Sequence, residues 1–287
     1  MNKFLNRRPL EITGVYTVFD TAYEAGRYFP GEMHNFWECV CVLDGTAGVS
    51  ADDRVYTLGA GEIIFHKPME FHRIWTQGQE TLKFFVVTFD VSGALSQKLE
   101  DSTFKIDGDA KSAFEWLVET YREYTRDEEP NDACVRKWFE NGVKMQIFCN
   151  TLETFLLEIC TEKPTNESFE RTEQAKLFRH LVKTMQNHIQ GSLTIKQLAA
   201  EAHTSETGVK RTFMRYCGIS PHAYFLNLKL KEAYRLLEKG YRIGEISEKL
   251  GFDNPNYFAV VFKRMTGYSP QNYKKKFFIK WSCLNII

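Results

Sequence analysis

The chain has 287 residues, 37 Lys and Arg against 37 Asp and Glu for a formal net charge of zero, 43% apolar and 14% aromatic residues. That is a globular composition with enough apolar content for more than one domain. No apolar run approaches the roughly 20 residues of a membrane span, and the first twenty residues break every apolar stretch before a signal-peptide core forms. The expectation is an intracellular, cytoplasmic protein with no membrane partner.

Seven cysteines with no C-x-x-C spacing indicate neither a disulfide framework nor a structural zinc site, and no cofactor is expected. The zero charge is a cancellation. Cut at Glu170, the chain carries 17 basic and 29 acidic residues before the cut, and 20 and 8 after it. An acidic unit of −12 is joined to a basic unit of +12, and the basic one is the candidate for binding nucleic acid.

From Thr13 to about Asp90, short β-branched and aromatic runs predict strands at Val15–Phe19, Cys39–Leu43, Ala47–Val49, Val55–Leu58, Ile63–Phe65 and Phe84–Phe89. The glycine-bearing turns Asp44-Gly45 and Gly59-Ala60-Gly61 separate them, as in a small sandwich or barrel. Two helical patterns follow. In the second, Phe148, Leu152, Phe155, Leu156 and Ile159 make one apolar stripe, suited to packing on the barrel or on a partner chain. We therefore expect a first domain over 1–161, a linker over 162–171 around Pro164, a helical domain over 172–276 and an apolar tail over 277–287. The helical domain opens with an amphipathic helix on Phe178, Leu181, Val182, Met185 and Ile189.

The basic half contains an internal repeat. FMRYCGISPHAY (Phe213 to Tyr224) matches FKRMTGYSPQNY (Phe262 to Tyr273) at six of twelve positions with an offset of 49, and Ile195 to Ala202 aligns with Ile243 to Leu250 at an offset of 48. Each copy reads as helix, tight turn, helix. In the first, Ile195, Leu198, Ala199 and Ala202 are apolar, His203-Thr204 turn, Ser205 caps, and Val209 and Phe213 point inward. In the second, Ile243, Ile246 and Leu250 are apolar, Gly251-Phe252 turn, Asn254 caps ahead of Pro255, and Phe258 and Phe262 point inward. Small residues, Ala199 and Ser247, stand where the helices cross. A continuous helix from Pro221 to Leu237, about 25 Å long at 1.5 Å per residue, joins the copies. Two helix-turn-helix motifs, over 193–216 and 241–266, would then address adjacent major grooves about 34 Å apart.

At these residues the region from about Leu177 to Lys275 resembles the DNA-binding domain of AraC-type (AraC/XylS) transcription regulators. The signature I-x-E-I-x-x-x-x-G-F-x-x-x-x-Y-F-x-x-x-F-K-x-x-x-G-x-S-P-x-x-Y stands from Ile243 to Tyr273. Ser247 replaces the family's usual alanine, Lys229 its linker-helix arginine, and Val260 a basic residue of the second recognition helix. The last change shifts the second unit toward apolar contact and shape readout. On the first recognition helix the candidate DNA-binding residues are Ser205, Glu206, Thr207, Lys210, Arg211 and Arg215; on the second, Asn254, Asn256, Ala259 and Lys263.

In the barrel, HNFWE (His34 to Glu38), Gly45 and the run from Gly61 through Pro68 to His72 look like the two motifs of a cupin. His34, Glu38 and His72 match three metal-ligand positions of metal-binding cupins, while Phe36 fills the fourth. Strand alternation places His34, Phe36, Glu38 and Val40 on one face. The resemblance implies an effector site at His34, Phe36, Glu38 and His72 with no metal, taking a sugar or related metabolite. His66, His180 and His188 are read as structural or surface residues, and Cys39 and Cys41 as core.

The fold class expected is α+β in two domains: a cupin-like N-terminal β-barrel with a helical pair, and an all-α C-terminal domain with two helix-turn-helix motifs joined by a linker helix. The function implied is an effector-controlled, sequence-specific transcription regulator, an activator and not an enzyme. Its partners would be double-stranded DNA, a small-molecule effector, RNA polymerase and a second copy of the chain. Two alternatives stand beside it: a metal-dependent cupin enzyme with an appended helical domain, and a DNA-binding protein whose barrel only dimerises. The charge split carries its own test. The segment from Arg171 onward should bind non-specific DNA more tightly at low salt than the intact chain, measured by fluorescence anisotropy; equal affinities would mean that the acidic half does not repel the duplex.

Overall fold

A computed structural model describes residues 8–126, 140–165 and 172–277. The linker positions 166–171 and the apolar tail from 278 lie outside the described residues. Eight strands come first: β1 (Glu11–Tyr23), β2 (Trp37–Asp44), β3 (Thr46–Ala51), β4 (Arg54–Gly59), β5 (Glu62–His66), β6 (His72–Thr76), β7 (Leu82–Ser92) and β8 (Thr103–Lys105). They form an antiparallel five-stranded sheet in the order β1-β7-β2-β5-β8 and a three-stranded sheet in the order β4-β3-β6. Two strands, β6 and β8, are not among the expected ones: β6 carries Arg73 as its second residue and β8 is three residues long.

Alternation along each strand sorts the residues into two cores. Val40, Val42, Ile64, Phe84 and Val86 of the large sheet meet Val49, Leu58 and Ile74 of the small one, filling the barrel. The opposite face of the large sheet, with Cys39, Cys41, Phe65, Phe85 and Phe89, is covered by two helices, α1 (Gly108–Thr125) and α2 (Gly142–Ile159). Phe148, Leu152, Phe155, Leu156 and Ile159 of α2 are each fully buried there, so the expected stripe packs on the barrel. Burial also pushes the Cys39 thiol up to about 12, the state of an inert core cysteine.

The C-terminal part is helical: α3 (Glu173–Asn187), α4 (Ile195–Glu201), α5 (Glu206–Tyr216), α6 (Pro221–Glu238), α7 (Ile243–Lys249), α8 (Pro255–Thr266) and α9 (Pro270–Phe277). Pairs α4–α5 and α7–α8 are the two repeats. Ser205 caps α5 by accepting from the Gly208 amide, and Asn254 caps α8 by accepting from Asn256, with Pro255 at the first turn. Gly251, at φ 60°, lies so close to the Gln190 carbonyl that a Cβ would sit 2.5 Å from it; the turn requires glycine.

The long helix α6 belongs to both units. Its Tyr224, Phe225 and Leu228 enter the core of the first, and its Leu230, Ala233, Tyr234 and Leu237 that of the second. Lys229 lies between the two sets. Its ammonium donates to the Gly191 carbonyl at 2.7 Å and to the Leu250 carbonyl, and it rests on the rings of Phe225 and Phe252. Burial lowers its pKa. The lysine that departs from the family's arginine therefore ties the end of α3 and the end of α7 to the shared helix. Lys229→Met keeps the length and removes the donors, leaving two carbonyls short of a partner, and should lower stability to urea by about 1–3 kcal/mol; a change within about 0.5 kcal/mol, the range of ordinary surface substitutions, would show that water replaces the ammonium without loss.

Candidate nucleic-acid interface and sensor site

On α5 the side chains of Val209, Thr212, Phe213 and Tyr216 are buried, and the remaining face is exposed. That face presents Glu206, Thr207, Lys210, Arg211, Met214 and Arg215. Ser205 is exposed too, but its hydroxyl is occupied in capping. On α8, Phe258, Val261 and Phe262 are buried while Asn256 and Lys263 are exposed. Two of the expected residues there need correction. Ala259 is half-buried rather than outward, and the Asn254 side chain is committed to the cap. The outer face of α8 instead carries Tyr257, 50% exposed, Val260, 63% exposed, and Arg264. Tyr257 and Val260 give that helix a partly apolar reading face, in keeping with shape and methyl contacts.

The small sheet turns its outer face to the first helix-turn-helix unit. Val55 and Phe71 join that unit's core, and Phe71 meets Tyr224 edge-on at 5.3 Å. Ser50 donates to the Tyr216 carbonyl at 2.5 Å. Arg73, 6% exposed, donates through Nη1 to the carbonyls of Met214 at 2.8 Å and Arg215 at 2.5 Å, and through Nε to Phe29 at 3.2 Å. A cation placed on the last carbonyls of a helix satisfies orphan acceptors and complements the helix dipole. Gly218, at φ 68°, closes the helix beside that guanidinium, where a Cβ would sit 3.2 Å from it. Two further links are the Lys231–Asp52 ion pair and a 2.9 Å hydrogen bond from Asn35 to the Tyr273 hydroxyl.

Inside the barrel the expected sensor residues come together, though not as strand neighbours. β2 starts at Trp37, so His34 and Phe36 lie in the segment before it, stacked on each other at 3.9 Å. Alternation places only Glu38 and Val40 on the inward face. Phe36 packs between His34 and Tyr16, 4.4 Å from the latter, and does not line the cavity. His34 Nε2 lies 3.6 Å from Glu38 Oε2, and His72 Nε2 lies 3.4 Å from Glu38 Oε1. Glu32, which the motif comparison does not reach, approaches His72 Nε2 at 3.8 Å. The cavity bordered by Glu32, Glu38, His66 and His72 is only about 60 Å³, and His34, like Phe36, stands outside its lining.

His66 is a buried structural residue with partners of its own. It shares a 2.9 Å hydrogen bond with Glu70 and stacks on His72 at 4.3 Å. Burial, aided by the charge of His72, lowers the His66 pKa well below its ordinary value, and burial raises the Glu70 carboxyl to about 7. Burial opposes charge on His72 and Glu38 as well. Their proximity overrides it, lifting His72 to about 10 and holding Glu38 well below the usual carboxylate range. His188 also has a partner, Glu201 at 3.1 Å.

Comparison with known proteins matches residues 15–132 to the AraC-like ligand binding domain and residues 198–276 to a helix-turn-helix domain. An HTH-type transcriptional regulator of Bacillus subtilis, YisR, is 34% identical over 92 residues, 32% of each chain. The HTH-type transcriptional activator RhaR of Salmonella dublin is 28% identical over 104 residues, covering 36% of this chain and 37% of RhaR. The chain thus spans about a third of the length of the curated relatives it matches. Among solved structures, apo ToxT K231A of Vibrio cholerae covers 94% of this chain and 98% of its own at 14% identity and a TM-score of 0.39.

The Arg73 contacts generate a prediction. Arg73→Gln removes the guanidinium from two helix-end carbonyls and should lower stability by about 1.5–3 kcal/mol, the range for hydrogen bonds to a charged group, read by urea unfolding of the intact chain; an unchanged midpoint would mean that the contact contributes nothing net.

Proposed function

The chain belongs to the AraC family of transcription regulators, and from that premise we propose that it binds DNA sequence-specifically through both helix-turn-helix units under the control of a ligand in the barrel. The observation that carries the reading is the pair α5 and α8. Each is the second helix of its motif and each buries one apolar stripe; α5 leaves a largely polar and basic face exposed, and α8 a mixed one with Asn256, Lys263 and Arg264 beside Tyr257 and Val260. Arg211 and Lys210 suit donation to guanine O6 and N7, Thr207 a base edge or thymine methyl, and Arg215 and Lys263 the phosphates. Asn256 suits adenine.

The route from barrel to DNA reader is short in the fold. A ligand that displaces β6 or the segment before β2 acts on Arg73, and so on the end of α5. Such control requires different ligand affinity in the two states. Dimerisation, activation through RNA polymerase and a cytoplasmic location complete the proposal; no helix among the described residues is long and apolar enough to cross a membrane. The enzyme alternative is set aside in this reading because the two matched domains are a ligand-binding domain and a helix-turn-helix domain.

Arg211→Ala should weaken binding to a duplex selected from random sequence by about 1–3 kcal/mol and relax preference at one base, in a gel-shift series at fixed salt. Unchanged affinity and preference would remove Arg211 from the interface.

A further inference from the structure

The polar cluster in the barrel has the donors and the spacing of an ion site. We propose that Glu32, His34, Glu38 and His72 bind one divalent transition-metal ion of the zinc class. The site itself stands on geometry alone; its part as the regulatory ligand rests on the regulator reading above.

Four ligand atoms, two imidazole nitrogens and two carboxylate oxygens, lie within 4.8 Å of one another. The neighbouring separations are 3.4, 3.6 and 3.8 Å. A hydrogen bond between an imidazolium and a carboxylate closes to about 2.7–2.9 Å, so these contacts are too long to be hydrogen bonds. One Glu38 oxygen faces each histidine, and these separations lie close to the edge of about 3.4 Å of a tetrahedron that four ligands at about 2.1 Å from a zinc ion define, so a small inward movement of the wider pairs would close the set on an ion. The Nε2 atoms of His34 and His72 are buried and have no hydrogen-bond partner among the described residues. An ion between them would satisfy both.

The other ring nitrogens are already set for this. His34 Nδ1 lies 3.0 Å from the Phe36 carbonyl and His72 Nδ1 lies 3.1 Å from the Glu70 carbonyl. A carbonyl can only accept, so each Nδ1 carries a proton, and an ion that displaces the second proton of His72 finds both Nε2 atoms facing it with a lone pair. That outer arrangement orients imidazole ligands in metal sites. Two carboxylates balance a divalent charge in a buried setting. The cavity of about 60 Å³ beside Glu32, Glu38 and His72 has room for an ion and little more, whereas a sugar requires several times that volume; His34 faces the same carboxylate from just outside it. Zinc suits the mixed nitrogen and oxygen set and the four-coordinate spacing.

Phe36 occupies a position where the sequence resemblance expects a ligand, and Glu32 supplies the missing donor from outside the motif. Its side chain is 47% exposed, giving the ion a way in. The ligands come from three places: the segment before β2, β2 itself and β6. Binding would draw these together beside Arg73, the next residue after His72 on β6.

The experiment uses the intact protein, stripped with a chelator, desalted, titrated with zinc sulfate in competition with a chromophoric chelator, and assayed for retained metal. We expect one zinc per chain. Glu38→Gln should weaken binding by about 100-fold or more, since even the outer partners of metal ligands are worth about 10–100-fold. Glu32→Ala, on the half-exposed segment where folding is spared, should weaken it by about tenfold or more, and cobalt substitution should give the strong visible absorption of a four-coordinate ion. His188→Ala, at the exposed pair with Glu201, should leave the stoichiometry at one. Zinc that is not retained, or whose affinity is unaltered by both Glu38→Gln and Glu32→Ala, overturns the site. Selection of a specific duplex is measured in parallel. A chain that selects DNA but retains no zinc ends the metal site and leaves the regulator reading, whereas a chain that retains zinc but selects no DNA supports the site and ends its regulatory role.

Discussion

The contact between β6 and the end of α5 is the constraint on which the arrangement depends. Arg73 is a buried cation on a strand, and a charge in that place is costly unless it is fully hydrogen-bonded. Its partners are the last carbonyls of the first recognition helix, which themselves need donors. Each side resolves the other's deficit. The pairing joins the face of a strand that points away from the barrel interior to a helix that presents its opposite surface to solvent. On the inward side of the same strand stands His72. One strand therefore has His72 of the polar cluster on one face and a grip on the first helix-turn-helix unit on the other.

The second structural theme is the sharing of α6. The helix contributes aromatic and aliphatic residues to two separate cores, so neither helix-turn-helix unit is complete without it. Lys229 reinforces the join by bridging the ends of α3 and α7. Two DNA-reading helices held on one shared element keep a set spacing, as adjacent major grooves on one face of a duplex require. The barrel adds to this by gripping the first unit through Arg73 and Ser50 and touching the second through Asn35.

What could be read from the sequence was the part written in local spacing. Phe213 and Phe262, Tyr224 and Tyr273, and the caps Ser205 and Asn254 recur at fixed offsets, and all take the places that helix period and capping chemistry assign to them. The AraC-type fold, with a β-rich domain followed by a helical one, follows from the same signals. The misses are nonlocal. Strand β6 was hidden because Arg73 looks like a surface residue until its partners, more than 140 positions away, are known. Glu32 lies in an irregular segment outside any motif, and only the folded chain brings it to His72. His66 and Glu70 are four residues apart, and it is the turn after β5, with Met69 at φ 62°, that swings Glu70 back onto the ring. Ala259 was misplaced because helix period alone does not tell a half-buried position from an outward one.

The central claim is that barrel and first DNA reader are coupled through the β6–α5 contact. Coupling between two sites is reciprocal, so DNA on α5 must be felt inside the barrel. Amide hydrogen exchange of the intact protein, with and without a selected duplex, measures this directly. The account predicts that DNA slows exchange on β3 and β6, including the amides around Ser50 and Arg73, as well as on α5. Exchange on β3 and β6 that is identical with and without bound DNA would contradict it.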